Sequence, residues 1–171
     1  MEVFEAVRTV LAVRGYRDRQ VPAQVRDRVI EAGRLAGSSM NRQPWHFIVV
    51  EERGTLRQLA TIMTSGPYIA DASFAVVVAV EVASAHAVSD ASRAIQNMVL
   101  TAWSDGVGSN WVGFGPLPEV QRLLGVPNTH AALAVVPFGY PSAPIGRGTR
   151  GTTKERKPLG AVASRERFGT P

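Results

Sequence analysis

A run of polar and aromatic side chains from Ser38 to Phe47 is the part of the sequence best suited to binding chemistry. It reads Ser-Ser-Met-Asn-Arg-Gln-Pro-Trp-His-Phe. Its hydroxyl and amide groups offer hydrogen-bond donors and acceptors beside an apolar surface. This combination suits a flat heteroaromatic ligand with polar edges. The same run also fits a capped helix end followed by a turn, with Trp45 in the core, and these residues alone leave both interpretations open.

Other kinds of reactive site find little support in the sequence. The chain contains no cysteine, which excludes disulfides, thiolate metal sites and thiol nucleophiles, so redox chemistry requires a bound cofactor. The histidines lack metal-ligand spacing, and no metal is expected. No serine lies in a Gly-x-Ser-x-Gly motif of a hydrolase. Residues 146–151 match Gly-x-Gly-x-x-Gly, but they follow no predicted strand, so they predict a flexible basic loop rather than a dinucleotide-binding fold.

The net charge of +5 is unevenly distributed. Residues 1–145 carry equal numbers of acidic and basic side chains, so the whole excess lies in residues 146–171. The basic residues there are Arg147, Arg150, Lys154, Arg156, Lys157, Arg165 and Arg167. They fit a solvated tail, or a tail in which one or two side chains bind a phosphate. Nucleic acid binding is disfavoured because no aromatic residues are interleaved with these charges.

The spacing of apolar residues predicts helices and strands that alternate irregularly along the chain. The predicted helices are Glu2 to Val13, Pro22 to Gly37, Leu56 to Met63, Ser89 or Asp90 to Asp105, and Pro118 to Leu124. The predicted strands are Trp45 to Val50, Phe74 to Val82, Ser109 to Val112, and Ala132 to Phe138. The run from Phe74 is almost continuously apolar, which predicts a strand buried on both faces. Ser89 or Asp90 is expected to cap the long central helix.

The length and composition are typical of one domain, with 171 residues that are 45% hydrophobic and 19% charged. The longest apolar run is too short to span a bilayer, and the first residues lack the basic start of a signal peptide, so we predict a cytoplasmic protein. Residues 1–141 are expected to form the core and residues 142–171 an extended arm, because Pro141, Pro144 and Pro158 favour an extended path. The arm could lie on a partner subunit or be an unstructured terminus.

Several segments, taken in order, resemble the FMN-dependent nitroreductase family. The run from Ser38 is similar to the family motif PSSxNxQPWxF, with Gly37 in the usual place of the proline. The other similar segments are residues 13–16 with 21–22 (SVRxF and PVP), 108–114 (GLGSxWIGGF), 124–127 (LLGLP), 138–141 (LGYP) and 156–159 (RKPLEEV). On this resemblance the chain is identified as a member of the family.

The resemblance implies an α+β fold in which helices flank a mostly antiparallel sheet. It also implies a homodimer that exchanges C-terminal arms and binds FMN across the interface. The residues carried over to the flavin site are Ser38, Ser39, Met40, Asn41 and Gln43 from one subunit, Arg14 near N1 and O2 of the ring, the backbone of Val112 and Gly113 near N5, and Arg156 and Lys157 at the phosphate.

The sequence departs from the family at the phosphate end of the site. Where the family usually has Arg-Arg-Ser, this chain has Val10, Leu11 and Ala12. Arg8 and Thr9 lie just upstream and are candidate replacements, although Arg8 fits equally well on the solvent face of the helix. The C-terminal arm is the other candidate source of phosphate ligands.

The resemblance further implies that NADH or NADPH reduces FMN, which then passes electrons to small acceptors such as nitroaromatics or quinones. Arg14 suits this chemistry because a permanent positive charge stabilises reduced flavin. No essential acid or base side chain is expected. The alternatives are an FMN-dependent dehydrogenase, dehalogenase or flavin-cleaving enzyme of the same fold, and a non-enzymatic module that binds flavin or associates with nucleic acid.

Overall fold

The computed structural model describes residues 1–143 and 156–169. Their centre is a four-stranded antiparallel sheet with strand order β1-β2-β4-β3. The strands are β1 (Trp45–Val50), β2 (Phe74–Glu81), β3 (Gly108–Ser109) and β4 (His130–Gly139). Strands β2 and β4 are buried on both faces, which explains their continuous apolar sequences.

Helices cover both faces of this sheet. They are α1 (Val3–Thr9), α2 (Ala23–Arg34), α3 (Arg53–Ile62), α4 (Ala87–Ser104) and α5 (Pro118–Leu124). Helices α2 and α4 pack on one face, against Val76 and Val78 of β2. Helices α3 and α5 pack on the other face, against Val77 and Val135. The predicted α+β architecture, with helices flanking an antiparallel sheet, is confirmed.

The structure corrects the predicted end of the first helix. The helix was expected to reach Val13 but ends at Thr9. The chain then runs beside β3, where Ala12 forms a parallel bridge with Ser109 and the Val13 N–H donates to the Ser109 carbonyl. Val13 is buried by this strand-like packing. Its side chain is apolar because it packs beside β3, and this apolar position happened to match the spacing of a helix.

The third strand is also shorter than expected, since it ends at Ser109 instead of Val112. The register with β4 continues beyond it, because Val112 pairs with Val135. Between these points Asn110 would lie opposite Pro137, which has no N–H to donate to a neighbouring strand. The ladder is therefore interrupted at Asn110 and Trp111.

The long helix begins earlier than predicted. Helix α4 starts at Ala87, and neither Ser89 nor Asp90 caps it. Its first turn follows His86, whose side chain makes no capping hydrogen bond. Asp90 is instead fully buried inside the helix. Smaller differences occur at α2, which ends at Arg34 rather than Gly37, and at α3, which starts at Arg53.

Among the described residues, no helix combines the length and apolar character needed to cross a bilayer. Within the same residues, no group of three or more His, Asp or Glu side chains is arranged to hold a metal ion.

Candidate functional site

A cavity of about 500 Å³ lies between the segment after α1, the middle of α4, the end of β3 and the C-terminal arm. Its volume is typical of small-molecule and cofactor sites. It is lined by residues 10–12, by Ile95, Gln96 and Val99 of α4, by residues 109–111 and by Arg156. The structure thus brings together four segments that are far apart in the sequence.

The interruption of the sheet at Asn110 and Trp111 shapes one wall of the cavity. The Asn110 side-chain amide donates to the Tyr68 hydroxyl. The Trp111 indole N–H donates to the Gly113 carbonyl at 2.6 Å, and its ring lies 6.0 Å from that of Phe114. Asn110 and Trp111 do not pair with β4 and line the cavity instead, and these contacts hold their side chains in place.

The backbone of Val112 and Gly113 was expected to approach a ligand ring. The Val112 N–H donates to Val135 at 2.9 Å and is used by the sheet. The Gly113 N–H has no acceptor among the described residues. Gly113 has φ +78°, an angle that residues with a side chain rarely adopt, so a substitution here would strain the backbone. Gly113 is the better candidate for a backbone donor to a ligand.

Arg14 lies on the segment that runs beside β3, and its side chain is exposed. Tyr16 anchors this segment, with its hydroxyl 3.0 and 3.2 Å from the carbonyl oxygens of Val13 and Pro137. Burial raises the pKa of the Tyr16 phenol, so the hydroxyl stays protonated and remains a donor. The sequence offered no signal for this role, because both acceptors are backbone atoms.

The two candidate replacements for the missing phosphate ligands are engaged elsewhere. Arg8 forms an exposed ion pair with Glu5, one turn back on α1. The Thr9 hydroxyl donates to the Glu5 carbonyl and accepts from the Trp103 indole. Neither residue lines the cavity, whose wall on this side is aliphatic.

The run from Ser38 forms a tight turn with unusual backbone angles. Met40, Asn41 and Gln43 have φ values of 49°, 54° and 51°, which non-glycine residues adopt rarely. The Ser38 hydroxyl accepts from the Gln43 N–H at 2.9 Å, and the Gln43 amide donates to Asn41. Met40 is 72% exposed. Such a cluster of disfavoured angles is typical of turns that are held for function.

Asp90 holds this turn against α4. The Ser39 N–H donates to the Asp90 carboxylate at 3.1 Å, and Arg93 forms an ion pair with the same carboxylate. The Asp90 side chain is 1% exposed. The sequence pattern predicted Asp90 only as a candidate helix cap, together with Ser89. Its helical spacing from the buried Ala87 and Ala94 was the available signal that it lies on the buried face of α4.

The turn and the cavity are separate within one chain. None of Ser38, Ser39, Met40, Asn41 and Gln43 lines the cavity. Trp45 is only half-buried and stacks on Phe47 with ring centroids 6.2 Å apart, so it is not a core residue.

The C-terminal arm contributes Arg156 to the cavity, while Lys157 is exposed. All described residues of the arm beyond residue 155 are exposed, and they include three large apolar side chains. These are Leu159, Val162 and Phe168. The basic Gly-x-Gly-x-x-Gly segment lies outside the described residues.

Helix α1 also exposes an apolar face. Val3, Phe4 and Val7 are 74%, 69% and 46% exposed. The chain therefore presents unburied apolar side chains both at its first helix and on its arm, which is unusual for a monomer.

The sequence model of the Nitroreductase family matches residues 8–81 and 65–140. A protein of Methanothermobacter thermautotrophicus named as an NADH dehydrogenase/NAD(P)H nitroreductase is 35% identical over 150 residues, which cover 83% of this chain and 78% of that protein. A protein of the same name from Archaeoglobus fulgidus is 35% identical over 149 residues, covering 82% of this chain and 86% of the relative.

A solved structure shares the fold over almost its whole length. The protein, from Parabacteroides distasonis, also carries the name NADH dehydrogenase/NAD(P)H nitroreductase. The two structures superimpose with a TM-score of 0.85 at 30% sequence identity. The match covers 95% of this chain and 97% of the other chain.

Proposed function

The chain belongs to the nitroreductase family, and on that premise we propose that it is an FMN-dependent oxidoreductase that takes electrons from NADH or NADPH. The observation that carries the proposal is the composition of the cavity. Residues 109–111 and Arg156 in its wall belong to segments that carry the family resemblance, and residues 10–12 in its wall directly precede the resembling segment 13–16.

The donor groups of the cavity fit the ring and the ribityl chain of a flavin. Gln96, Ser109 and Asn110 are polar but uncharged and suit hydroxyl groups. Trp111 and the aliphatic residues suit a flat ring. A bound FMN supplies hydride transfer at its N5 position. Through the resemblance we assign the Gly113 N–H to hold the ring near N5.

Arg14 serves the N1 and O2 edge of the ring in this proposal. Its permanent positive charge stabilises negative charge there and raises the reduction potential of the flavin. Arg156 and Lys157 serve the phosphate end. The protein orients the reactants and tunes the cofactor, so we expect no essential acid or base side chain. Nitroaromatics and quinones are the proposed acceptors, and a cytoplasmic location stays a prediction.

We propose a homodimer as the functional unit. The exposed apolar residues of α1 and of the arm, such as Phe4 and Phe168, support this because a second chain could bury them. Within one chain the turn at Ser38 does not line the cavity. In a dimer, the turn of one chain could complete the cavity of the other.

Anaerobic absorption spectroscopy tests the function. The full chain is saturated with FMN and mixed with NADH or NADPH, and we expect the visible flavin band to bleach and to recover when a quinone is added. Bound FMN that neither nucleotide bleaches would favour the dehydrogenase, dehalogenase or flavin-cleaving alternatives. A chain that fails to bind FMN would rule out the proposal and leave a non-enzymatic role, for which DNA binding at low salt is the check.

A further inference from the structure

The wall of the cavity formed by residues 10–12 is aliphatic. Val10 and Leu11 are half-buried and Ala12 is exposed, and all three line the cavity. Their side chains offer no hydrogen-bond donor to an anion. A phosphate placed against these side chains would gain no hydrogen bond from them in return for the water it loses, which is unfavourable for a charged group.

Positive charge near this wall is sparse among the described residues. Arg156 is the one basic side chain among the described residues that line the cavity, and it lies on an exposed segment. Arg8 is paired with Glu5 on the solvent side of α1. An ion pair formed by an exposed arginine is screened by salt and changes affinity by less than about tenfold. The described residues at this end of the site therefore contribute little to the binding of a phosphate.

Uncharged groups supply the remaining polar lining. Gln96, Ser109 and Asn110 match the hydroxyls of a ribityl chain, which flavins share whether or not they carry a terminal phosphate.

We propose that this cavity binds flavins almost irrespective of the terminal phosphate, so that riboflavin binds within about tenfold of FMN. The inference rests on the proposed flavin function and adds a ligand class to it. Three observations support it. The wall of residues 10–12 is aliphatic, and the polar lining side chains Gln96, Ser109 and Asn110 are uncharged. Arg156, on the exposed arm, is the single cation among the described lining residues.

Parallel titrations of the full chain with FMN and with riboflavin test the inference. Binding is measured by quenching of flavin fluorescence at about 150 mM salt. We expect the two dissociation constants to differ by less than about tenfold. A larger preference for FMN would overturn the inference and leave the proposed function intact, whereas binding of neither flavin would overturn both.

A variant at the wall provides the second test. Ala12→Arg adds a guanidinium to an exposed position of the wall, and Ala12→Gln is a control of similar bulk without charge. We expect Ala12→Arg to tighten FMN binding by a few-fold, within the limit of about tenfold for an exposed ion pair, and to change riboflavin binding no more than Ala12→Gln does. Equal effects of Ala12→Arg on both flavins would show that the phosphate does not lie at this wall, and would overturn the inference.

Discussion

The buried carboxylate of Asp90 holds the turn that follows Ser38, where three residues have disfavoured positive φ angles. Asp90 accepts from the Ser39 N–H and pairs with Arg93, while Met40 and Asn41 adopt positive φ values. Such angles persist only where surrounding contacts hold them. Asp90 provides the contact that ties this turn to α4.

Replacing Asp90 with alanine is expected to lower the free energy of unfolding by about 1–3 kcal/mol, because the Ser39 N–H loses its acceptor in a partly buried place. Urea denaturation measures the loss. Ser89→Ala, an exposed neighbour on the same helix, should change stability by less than about 0.5 kcal/mol. An equal effect of both variants would show that Asp90 has no special role.

Arg14 is the residue to which we assign electronic tuning of the flavin. Arg14→Ala is expected to weaken FMN binding about tenfold or to lower the potential of the bound flavin, since a charged partner of the ring is lost. Fluorescence titration and potentiometry measure the two quantities. Arg57→Ala, on α3, removes the same charge from a helix that does not border the cavity. Unchanged affinity and potential in Arg14→Ala would show that the assignment is wrong.

At the scale of elements, local patterns predicted the buried strands and several helices correctly. Strand β1 and helix α5 have the predicted ends because apolar spacing and Pro118 mark them within a few residues. Two ends were wrong for a common reason. Each end is set by a residue distant in the sequence. The end of α1 depends on pairing with Ser109, and the end of β3 depends on Pro137, almost thirty residues after Ser109.

The candidate site was predictable to the same extent. The polar residues of the turn after Ser38 and the glycine at position 113 could be recognised from their residue types. Positive φ angles occur within this turn and at Gly113. Tyr16, Gln96 and Asn110 carried no local signal, because their roles arise from packing between elements distant in sequence. Asp90 was misassigned as a cap since its acceptor role depends on a turn fifty-one residues away.

The start of α3 makes stability depend on pH. The Glu52 carboxylate accepts from the backbone N–H groups of Gly54 and Thr55, and these bonds hold the pKa of Glu52 below its usual value. A lowered native pKa contributes stability above the unfolded pKa, which is lost as pH falls through the native pKa. Glu52→Gln should therefore lower the melting temperature near neutral pH, with the difference shrinking between about pH 5 and pH 3. A constant difference at every pH, or the same profile for the exposed Glu81→Gln, would contradict this.

At the scale of the whole molecule, the proposed function gives the arm a part in both dimer assembly and cofactor binding. It contributes Arg156 to the cavity and then exposes Leu159, Val162 and Phe168. We expect truncation after Ser142 to reduce both dimer formation and FMN retention, because the arm would supply a cation to one end of the site and apolar contacts to a second chain. Analytical ultracentrifugation and absorption spectroscopy measure these two properties. A truncated chain that stays dimeric and yellow would refute arm exchange.

A double substitution separates the two contributions of the arm. Leu159→Ser with Val162→Ser leaves Arg156 in place but removes apolar contacts, so the dimer should weaken. Ala163→Ser, at an exposed position of the same arm, is the control and should leave the dimer unchanged.

The proposed function depends on the claim that a flavin occupies the cavity lined by residues 10–12, by α4, by residues 109–111 and by Arg156. Hydrogen exchange measured by mass spectrometry with and without FMN tests it most directly. Bound flavin should slow the exchange of the Gly113 N–H and of peptides covering residues 10–14 and 109–113, and should leave exchange in α3 and α5 unchanged. Bound FMN that leaves these peptides unprotected, or that protects only other parts of the chain, would contradict the claim.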